Sequence, residues 1–298
     1  MKSLVFVCAQ KVVSDHSSLR RALDFMPKEL YPALFQAAFL GKKTLVLQDL
    51  VQTWPFAVLS FQKLLNSDRH CDPVGAMEKP SKLCVQTIIL GVITYLSDAL
   101  AKGPEGQRAG GLQRPLESLE LAFCSLLPMD LSYLSQSVHV SSLRKLDLSG
   151  NNLSDLLLTP FLQVLSEVSG RLLYLDVMEC KLKDAHLGTL MTILRRCSHL
   201  RYLGLFCNPI SSDGLRMVLQ NLVQLAELRL VVYPFPVDCY SDATQFASSA
   251  ALLDSSFDHD KLARVGEELQ QMLLGAQRAD MVWTTDMYVH RTLDSLSL

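Results

Sequence analysis

The chain has 298 residues, which is enough for one large domain or two modest ones. Its formal net charge of −2 excludes the broad basic surface that nucleic-acid binding requires, and it leaves no acidic tail. Although 49% of the residues are apolar, the longest apolar runs, residues 3–9 and 87–96, are far shorter than the ~20 residues that cross a bilayer.

The eight cysteines and the first residues of the chain bear on its compartment. No cysteine pair has the C-x-x-C spacing of zinc knuckles or thioredoxin-type redox motifs, so no metal and no other cofactor is expected. The first apolar run lacks a small-residue cleavage pattern and is not expected to be a signal peptide. We therefore expect a protein of the cytoplasm or the nucleus, in which the thiols stay reduced.

The first predicted element is a short apolar segment with a regular spacing. Ser3 and Leu4 are followed by Cys8 and then by Val12, so that the last three lie on one face of a helix. Such a row of side chains is typical of a helix that docks into a groove on a partner. A second interpretation is that the apolar residues here form the core face of a first helix or strand; they are Leu4, Phe6, Val7 and Val12.

A second short pattern lies downstream of the first. Met26, Pro27 and Leu30 form an apolar-Pro-x-x-apolar sequence, in which proline occupies a first helical turn. The same sequence also resembles the opening of an F-box, a segment that recruits an adaptor protein of its own. Residues 1–101 are expected to form a small helical domain, with helices around 19–39, 44–54, 59–65 and 83–100. A linker rich in glycine and proline follows at 102–115.

The next elements are copies of one repeat, with leucine at positions one, four and six, Asn or Cys at nine, and an aliphatic residue at eleven. Full copies begin at Leu116, Leu143, Leu172 and Leu200, and a partial fifth copy reads Leu225, Leu228 and Leu230. Each copy predicts a half-buried strand, a turn whose backbone bonds the Asn or Cys, and a helix. We therefore predict an α/β fold, a leucine-rich-repeat solenoid over 116–233 with a curved parallel sheet and outer helices.

Strand periodicity predicts which side chains line the concave face of this solenoid. Positions four and six point inward, so positions three, five and seven point out of the sheet. In this register the outward positions hold an exposed aromatic cluster and an acidic column. We expect them to bind a client protein; they are Tyr174, Met178, Tyr202 and Phe206, with Glu120, Asp147 and Asp176. The fifth copy adds Glu227 and Arg229. Alternatively, a loop from residues 234–257 folds over the cluster.

The last 65 residues of the chain depart from the repeat. Pro234 and Pro236 end the regular pattern. Asp258 predicts the N-cap of a final helix, and residues 282–285 predict a last strand. The apolar face of that helix consists of Leu262, Val265, Leu269, Met272 and Leu273. Residues 234–298 are therefore expected to cap the open end of the solenoid.

Several longer stretches resemble the PRAME-like family of leucine-rich-repeat proteins. They are MPKELYPALFQAAF at 26–39, VQTWPF at 51–56, LESLELAFCSLLPMDL at 116–131, LRKLDLSGNNLS at 143–154, LRYLGLFCNP at 200–209 and VVYPFPVDCY at 231–240. The two N-terminal patterns resemble an elongin-binding box (Ser3, Leu4, Cys8 and Val12) and a cullin-2 box (Met26, Pro27 and Leu30). Family members carry further degenerate repeats where this chain has residues 102–115, so the chain resembles a shortened form.

The resemblance implies a substrate-recognition adaptor of a cullin-2-type RING ubiquitin ligase. The adaptor would reach the ligase through elongins B and C and bind a client through the concave face of the solenoid. The alternative is a ligase-independent inhibitory scaffold that holds a signalling protein and restrains inflammatory, NF-κB-type or transcriptional signalling. No enzyme is expected in either case, because the sequence contains no nucleophile elbow, zincin motif or dinucleotide-binding glycine pattern.

Overall fold

The structure is a computed structural model that describes residues 4–60, 84, 87–88, 116–137, 140–240 and 258–286. It divides into two compact units, one with residues 1–124 and 136–142 and one with residues 125–135 and 143–298. Each unit combines helices with parallel strands, so the predicted α/β class is confirmed. No helix within the described ranges is long and apolar enough to cross a membrane.

The first unit, which we name the helical unit, begins with four helices. Helices α1 to α4 span Leu4–Val12, His16–Ala22, Tyr31–Leu40 and Thr44–Gln52, and 3-10 turns lie at Leu23–Phe25, Lys28–Leu30 and Val140–Ser142. Strand β1 (Val58–Ser60) pairs in parallel with β2 (Ser118–Glu120). Helix α3 is central, because α1 and α4 both pack against it. Its Phe35 is fully buried, with its ring centroid 5.7 Å from that of Trp54.

Local sequence explains where these helices begin and end. Asp15 caps α2, since its carboxylate accepts a hydrogen bond from the amide of Ser18 at 3.1 Å. Pro27 holds Met26 in an extended conformation, with φ −72° and ψ 127°, because the proline ring disfavours the helical region for the residue before it. The helical region predicted around residues 19–39 is therefore divided between α2 and α3.

One predicted helix of this unit is wrong in part. Leu59, which the sequence assigns to a helix at 59–65, is buried in β1 opposite Leu119. Its strand partner lies about sixty residues further along the chain, so a local apolar pattern does not reveal the pairing. Residues 61–65, the linker at 102–115 and most of 83–100 lie outside the described residues. Cys84, Thr87 and Ile88, which are described, are helical.

The second unit, which we name the repeat unit, alternates helices with strands. Strands β3 to β7 span Lys145–Asp147, Tyr174–Asp176, Tyr202–Gly204, Leu230–Val232 and Val282–Thr284. Helices α5 to α9 span Pro128–Ser135, Leu158–Val168, Asp184–Leu194, Ser212–Leu222 and His259–Gly275, with 3-10 turns at Asp155–Leu157 and Val237–Cys239. Consecutive strands pair in parallel and consecutive helices pack together, as a leucine-rich-repeat solenoid requires.

Buried amides connect the turns of neighbouring repeats. The side-chain oxygen of Asn208 accepts hydrogen bonds from the backbone amides of Cys180 and Leu182, both at 3.0 Å. Its nitrogen donates to the carbonyls of Val177 and Leu205, both at 2.8 Å. All four bonding positions of the amide are therefore used, and backbone groups that the turns leave unpaired are satisfied. The predicted role of position nine in the turn is confirmed at Asn208.

The fifth repeat is displaced by three residues from its predicted register. Tyr202 lies opposite Leu230, and Gly204 lies opposite Val232, so this copy begins at Leu228 rather than at Leu225. Leu225 is instead buried after α8, where its amide donates to the carbonyl of Leu222 at 3.0 Å. The register that begins at Leu225 has leucine at positions one, four and six, whereas the observed register has Val231 and Tyr233 at four and six, so the leucine spacing favours the wrong register. The outward positions assigned to Glu227 and Arg229 are therefore wrong.

The C-terminal elements continue the alternation of helix and strand. Asp258 caps α9 by accepting a hydrogen bond from the amide of Lys261 at 2.9 Å, which confirms the predicted N-cap. The predicted last strand is also confirmed, because β7 pairs in parallel with β6. The guanidinium of Arg278 donates to the carbonyls that follow α8, at 2.7–2.9 Å; these carbonyls belong to Val223, Leu225 and Leu228.

Removal of the leucine side chains of the repeat core is expected to destabilise the protein strongly. Leu148, Leu175 and Leu203 are fully buried, so each change to alanine leaves a cavity and should lower the free energy of unfolding by roughly 2–5 kcal/mol. Leu156→Ala is the matched control, because its side chain is 78% exposed in the same unit. Urea unfolding followed by circular dichroism measures all four variants. Equal midpoints for the buried and exposed positions would contradict the register.

Candidate functional site

Helix α1 exposes more apolar side chains than it buries. Phe6 and Ala9 face the core of the helical unit, whereas Leu4 is 78% exposed. Val5, Val7 and Val12 are also exposed, and so is the thiol of Cys8. An apolar surface of this kind on a short helix is typical of a contact with a partner. The interpretation of this segment as a core face is therefore wrong for Leu4, Val7 and Val12.

The exposed face of α1 forms one side of an apolar groove of about 250 Å³. Every residue of this groove, which we name the N-terminal groove, is apolar apart from the cysteine thiol. Helix α1 contributes Leu4, Val5, Cys8, Ala9 and Val12, and the other side consists of Met26, Leu30, Ala33 and Leu34. The second side begins in the segment that Pro27 breaks and continues into α3. The groove suits apolar side chains of a partner and offers no charge for a polar ligand.

The structure brings together residues that the sequence assigns to two different partners. Leu4, Cys8 and Val12 of the predicted elongin-binding box share the groove with Met26 and Leu30 of the predicted cullin-2 box. Pro27, the middle residue of that second box, is exposed and is not among the residues that line the groove. Ser3 lies outside the described residues. The two patterns therefore form one surface rather than two, with Pro27 at its margin.

Sequence reasoning missed four residues of the groove, Val5, Ala9, Ala33 and Leu34. Leu30, Ala33 and Leu34 follow the i, i+3, i+4 spacing of one helical face, which is a signal that the sequence does contain. The packing of α1 against α3 is what joins this face to that of α1. That packing is a long-range contact, so no local pattern reveals it.

The aromatic cluster on the strands of the repeat unit is buried, contrary to the expectation of an exposed surface. Tyr174 and Tyr202 stack with ring centroids 4.1 Å apart, and both are less than 10% exposed. Phe206 is buried as well, and its ring contacts that of Phe235 at 6.0 Å. Met178 packs against the cluster and is partly buried. The corrected register also adds Leu230 and Val232, two apolar residues, where the sequence placed Glu227 and Arg229.

Phe235 belongs to the segment 234–257, which the second interpretation folds over the cluster. Its contact with Phe206 supports that interpretation at this residue, and residues 241–257 lie outside the described ones. The client-binding role of the cluster stays a prediction. Because Tyr202 is buried, a change to alanine there would leave a cavity, so a loss of binding would not by itself identify a contact.

The acidic column is also largely buried. Asp147 and Asp176 lie opposite each other on β3 and β4. The hydroxyls of Tyr174 and Tyr202 donate to the carboxylate of Asp176 at 3.2 and 3.3 Å. A Cβ atom added to Gly204 would lie 2.3 Å from that carboxylate, so the strand requires glycine here. The expected exposed acidic face is wrong for Asp176, as it is for Glu120, which is buried in the helical unit.

Burial changes the protonation of this carboxyl pair. Burial first, and then the charge of Asp176, raises the pKa of Asp147 from 3.8 to about 6. Burial also raises the pKa of Asp176, although the amide of Met178 and the two tyrosine hydroxyls favour its charged form. The pair therefore keeps one proton to a higher pH than two separate carboxyls would.

The described residues contain no arrangement that indicates catalysis by a metal or a thiolate. No group of three or more His, Cys, Asp or Glu among them is placed to hold a metal ion. Cys180 occupies the turn position of its repeat, and its thiol lies 3.3 Å from the carbonyl of Leu148. Burial raises the pKa of this thiol well above its usual value, so it stays protonated and is a poor nucleophile. Cys124 is buried too.

The substitution Asp147→Asn is expected to stabilise the protein above about pH 6. A carboxyl whose pKa is higher in the folded state stabilises the fold fully below its unfolded pKa, and this stabilisation is lost as the pH rises through the folded value of about 6. Asparagine keeps an oxygen for the amide of Ser149 and removes the charge, so the gain at neutral pH should be on the order of 2 kcal/mol.

Urea unfolding at about pH 4, 5.5 and 7.5 measures this effect. The stabilisation by Asp147→Asn should grow with pH, and Glu167→Gln, an exposed change in the same unit, should give a small and constant difference. A difference for Asp147→Asn that does not depend on pH would contradict the shared proton.

Comparison with known proteins identifies close relatives of the chain. Residues 2–86 match the PRAME N-terminal domain, and residues 61–293 match the PRAME C-terminal domain. The Leucine-rich repeat-containing protein 14 of Xenopus laevis is 50% identical over 509 aligned residues that cover the whole of both chains. The protein of that name from Rattus norvegicus is 47% identical over 493, again with full coverage. The human PRAME family member 20 is 31% identical over 157 residues, 53% of this chain and 32% of that protein.

The two full-length alignments are longer than this chain of 298 residues. They therefore contain long gaps on the side of this chain, in agreement with its resemblance to a shortened form.

Proposed function

This chain belongs to the PRAME family of leucine-rich-repeat proteins, and we propose that it is a substrate-recognition adaptor of a cullin-2-type RING ubiquitin ligase. In this proposal the N-terminal groove binds elongin C, which brings in elongin B and the cullin, and the repeat unit binds the client. The coarser function, a repeat protein that interacts with other proteins, follows from the family and the fold.

The observation that supports the proposal is the apolar surface of the helical unit. Leu4 lines the groove and is 78% exposed, so its side chain is available to enter a pocket on a partner. Cys8 and Val12 follow at intervals of one helical turn. Burial of these exposed apolar side chains against a partner would contribute hydrophobic free energy that the free protein does not obtain.

The shared groove changes how the second box is assigned. Because Leu30 and Met26 line the same groove as Leu4 and Cys8, we propose that elongin C contacts both elements. Pro27, exposed at the margin, remains for the cullin. The resemblance alone implies that changes of Leu30 spare elongin, whereas the shared groove implies that they weaken it.

Leu4→Asp and Cys8→Lys are each expected to abolish co-precipitation of purified elongins B and C with the full chain. A charge that enters an apolar interface without a partner costs at least ~2 kcal/mol, which corresponds to roughly thirtyfold weaker binding. Val7→Asp is the matched control, because Val7 is exposed on the same helix and does not line the groove. Leu30→Asp should weaken elongin binding, and Pro27→Ala should spare it and weaken capture of cullin-2.

Three outcomes distinguish the proposal from its alternatives. An F-box interpretation requires that Leu30 and Pro27 are essential and that Leu4 is dispensable. A ligase-independent scaffold of inflammatory or transcriptional signalling requires that no groove variant changes anything except stability. If the unmodified chain captures no elongin, the adaptor proposal is wrong, and the binding role of the repeat unit is unaffected.

A further inference from the structure

The exposed charge of the repeat unit is concentrated on the edge where helices lead into strands. Five of the basic residues on this edge, four in the loops before β3, β4 and β5 and one at the start of β3, form what we name the basic edge; they are Arg144, Lys145, Arg171, Arg195 and Arg196. All except the half-buried Lys145 are exposed. The acidic column is largely buried, whereas this edge is exposed, so the edge offers accessible positive charge.

Strand register brings these residues to one side of the sheet. The amide of Leu173 donates to the carbonyl of Arg144 at 2.8 Å, and the amide of Arg201 donates to the carbonyl of Leu173 at 2.8 Å. The three loops therefore lie side by side, because neighbouring parallel strands are ~4.8 Å apart. The guanidinium of Arg196 also reaches back to the hydroxyl of Ser166 in α6, at 3.4 Å. Arg171 follows the C-terminus of that same helix.

Two other arginines on this side of the sheet, directly before β5 and before β6, are paired with acids. Arg201 lies 3.5 Å from Glu227, which also contacts His199. Arg229 forms an ion pair with Asp280. Among the described residues, none of the five members of the basic edge lies within ion-pair distance of a carboxylate. The positive charge without a carboxylate partner therefore lies before β3 and β4 and, in the loop before β5, only at Arg195 and Arg196.

Helix dipoles explain only part of this arrangement. Arg171, Arg195 and Arg196 follow the C-termini of α6 and α7, where a positive charge stabilises the helix by a few tenths of a kcal/mol. Arg144 and Lys145 begin a strand and follow no α-helix end within that loop. Their positive charges add to the field without that benefit, and Lys145 is held over the ring of Tyr174 at 4.2 Å.

We infer that the basic edge is a docking surface for an acidic segment of a partner protein. The inference rests on the part of the proposed function that gives client binding to the repeat unit. The surface is short, because the next arginines along the edge are already neutralised by Glu227 and Asp280, so a short acidic peptide fits it better than a long phosphate backbone.

A labelled dodecamer of glutamate tests the surface by fluorescence anisotropy with the full chain. The peptide should bind at low salt and weaken as salt rises, because exposed charges are screened. Arg171→Glu combined with Arg196→Glu should weaken binding at least roughly tenfold. The matched control is Lys181→Glu combined with Arg264→Glu, which makes the same change in net charge at exposed positions elsewhere in the unit and should have little effect.

Equal weakening by both pairs, or no binding by the unmodified chain, would overturn the inference. A thymidine dodecamer that binds more tightly than the peptide would also overturn it, in favour of nucleic acid. Elongin capture by the doubly reversed variant separates the two proposals, since that variant leaves the N-terminal groove intact. Loss of peptide binding with full elongin capture is the result expected if both are correct.

Discussion

The buried side-chain amide of Asn208 joins the turns of two repeats, and the arrangement of the repeat unit depends on contacts of this kind. Each strand in the described part of this unit has three residues, so the strand ladder alone supplies few hydrogen bonds. Asn151 acts in the same way one step earlier, accepting from the amide of Leu126 at 3.1 Å and donating to the carbonyl of Leu148 at 2.8 Å. The turn amides and the leucine core together fix each repeat against its neighbour, so that equivalent positions of successive repeats lie side by side.

Register has a direct consequence for the surface, because equivalent positions of successive repeats become neighbours. At the third position this brings Tyr174 onto Tyr202, and at the fifth it brings Asp147 beside Asp176. The tyrosine rings stack on each other, and their hydroxyls donate hydrogen bonds to the carboxylate of Asp176. Because these polar groups are satisfied within the protein, the two columns can be buried. Of the charged side chains in the described loops that enter the strands, Arg201 and Arg229 are paired with acids, whereas the four loop arginines of the basic edge have no carboxylate within ion-pair distance and are exposed. The strand columns and the loop edge thus differ in accessibility for physical reasons.

The helical unit combines burial and exposure on one short helix. Helix α1 uses Phe6 and Ala9 to pack against α3 and leaves a second apolar face uncovered. The break at Pro27 matters here, because Met26 before it is extended and ends the 3-10 turn that follows α2, and Leu30 and the start of α3 then lie beside that face. The groove therefore lies between the exposed apolar face of α1 and the segment that leads into α3.

Much of the fold follows from the sequence alone. The spacing of leucines from Leu143 to Leu205 predicts the strands, turns and helices of the regular repeats, because each repeat closes its own strand, turn and helix through local contacts. The N-cap Asp258 and the strand at Val282–Thr284 also follow from local residue preferences, the first for helix caps and the second for strands. The residues of both N-terminal boxes are also visible in the sequence, as periodic apolar side chains next to a proline.

Tertiary structure decided what is exposed and which residues act together. The leucine spacing favours a fifth copy that begins at Leu225, and only the pairing of β6 with β5 shows that it begins at Leu228. The same pairing places Leu230 and Val232 beside Tyr202, and Phe235 packs against this cluster. The alternation of side chains along a strand does not predict these contacts. The eighth residue of the repeat has a left-handed φ at Gly150, Glu179 and Cys207. Only the glycine indicates this conformation in the sequence. The N-terminal groove likewise needs α1 against α3, because accessibility is set by contacts between segments that are distant in the chain.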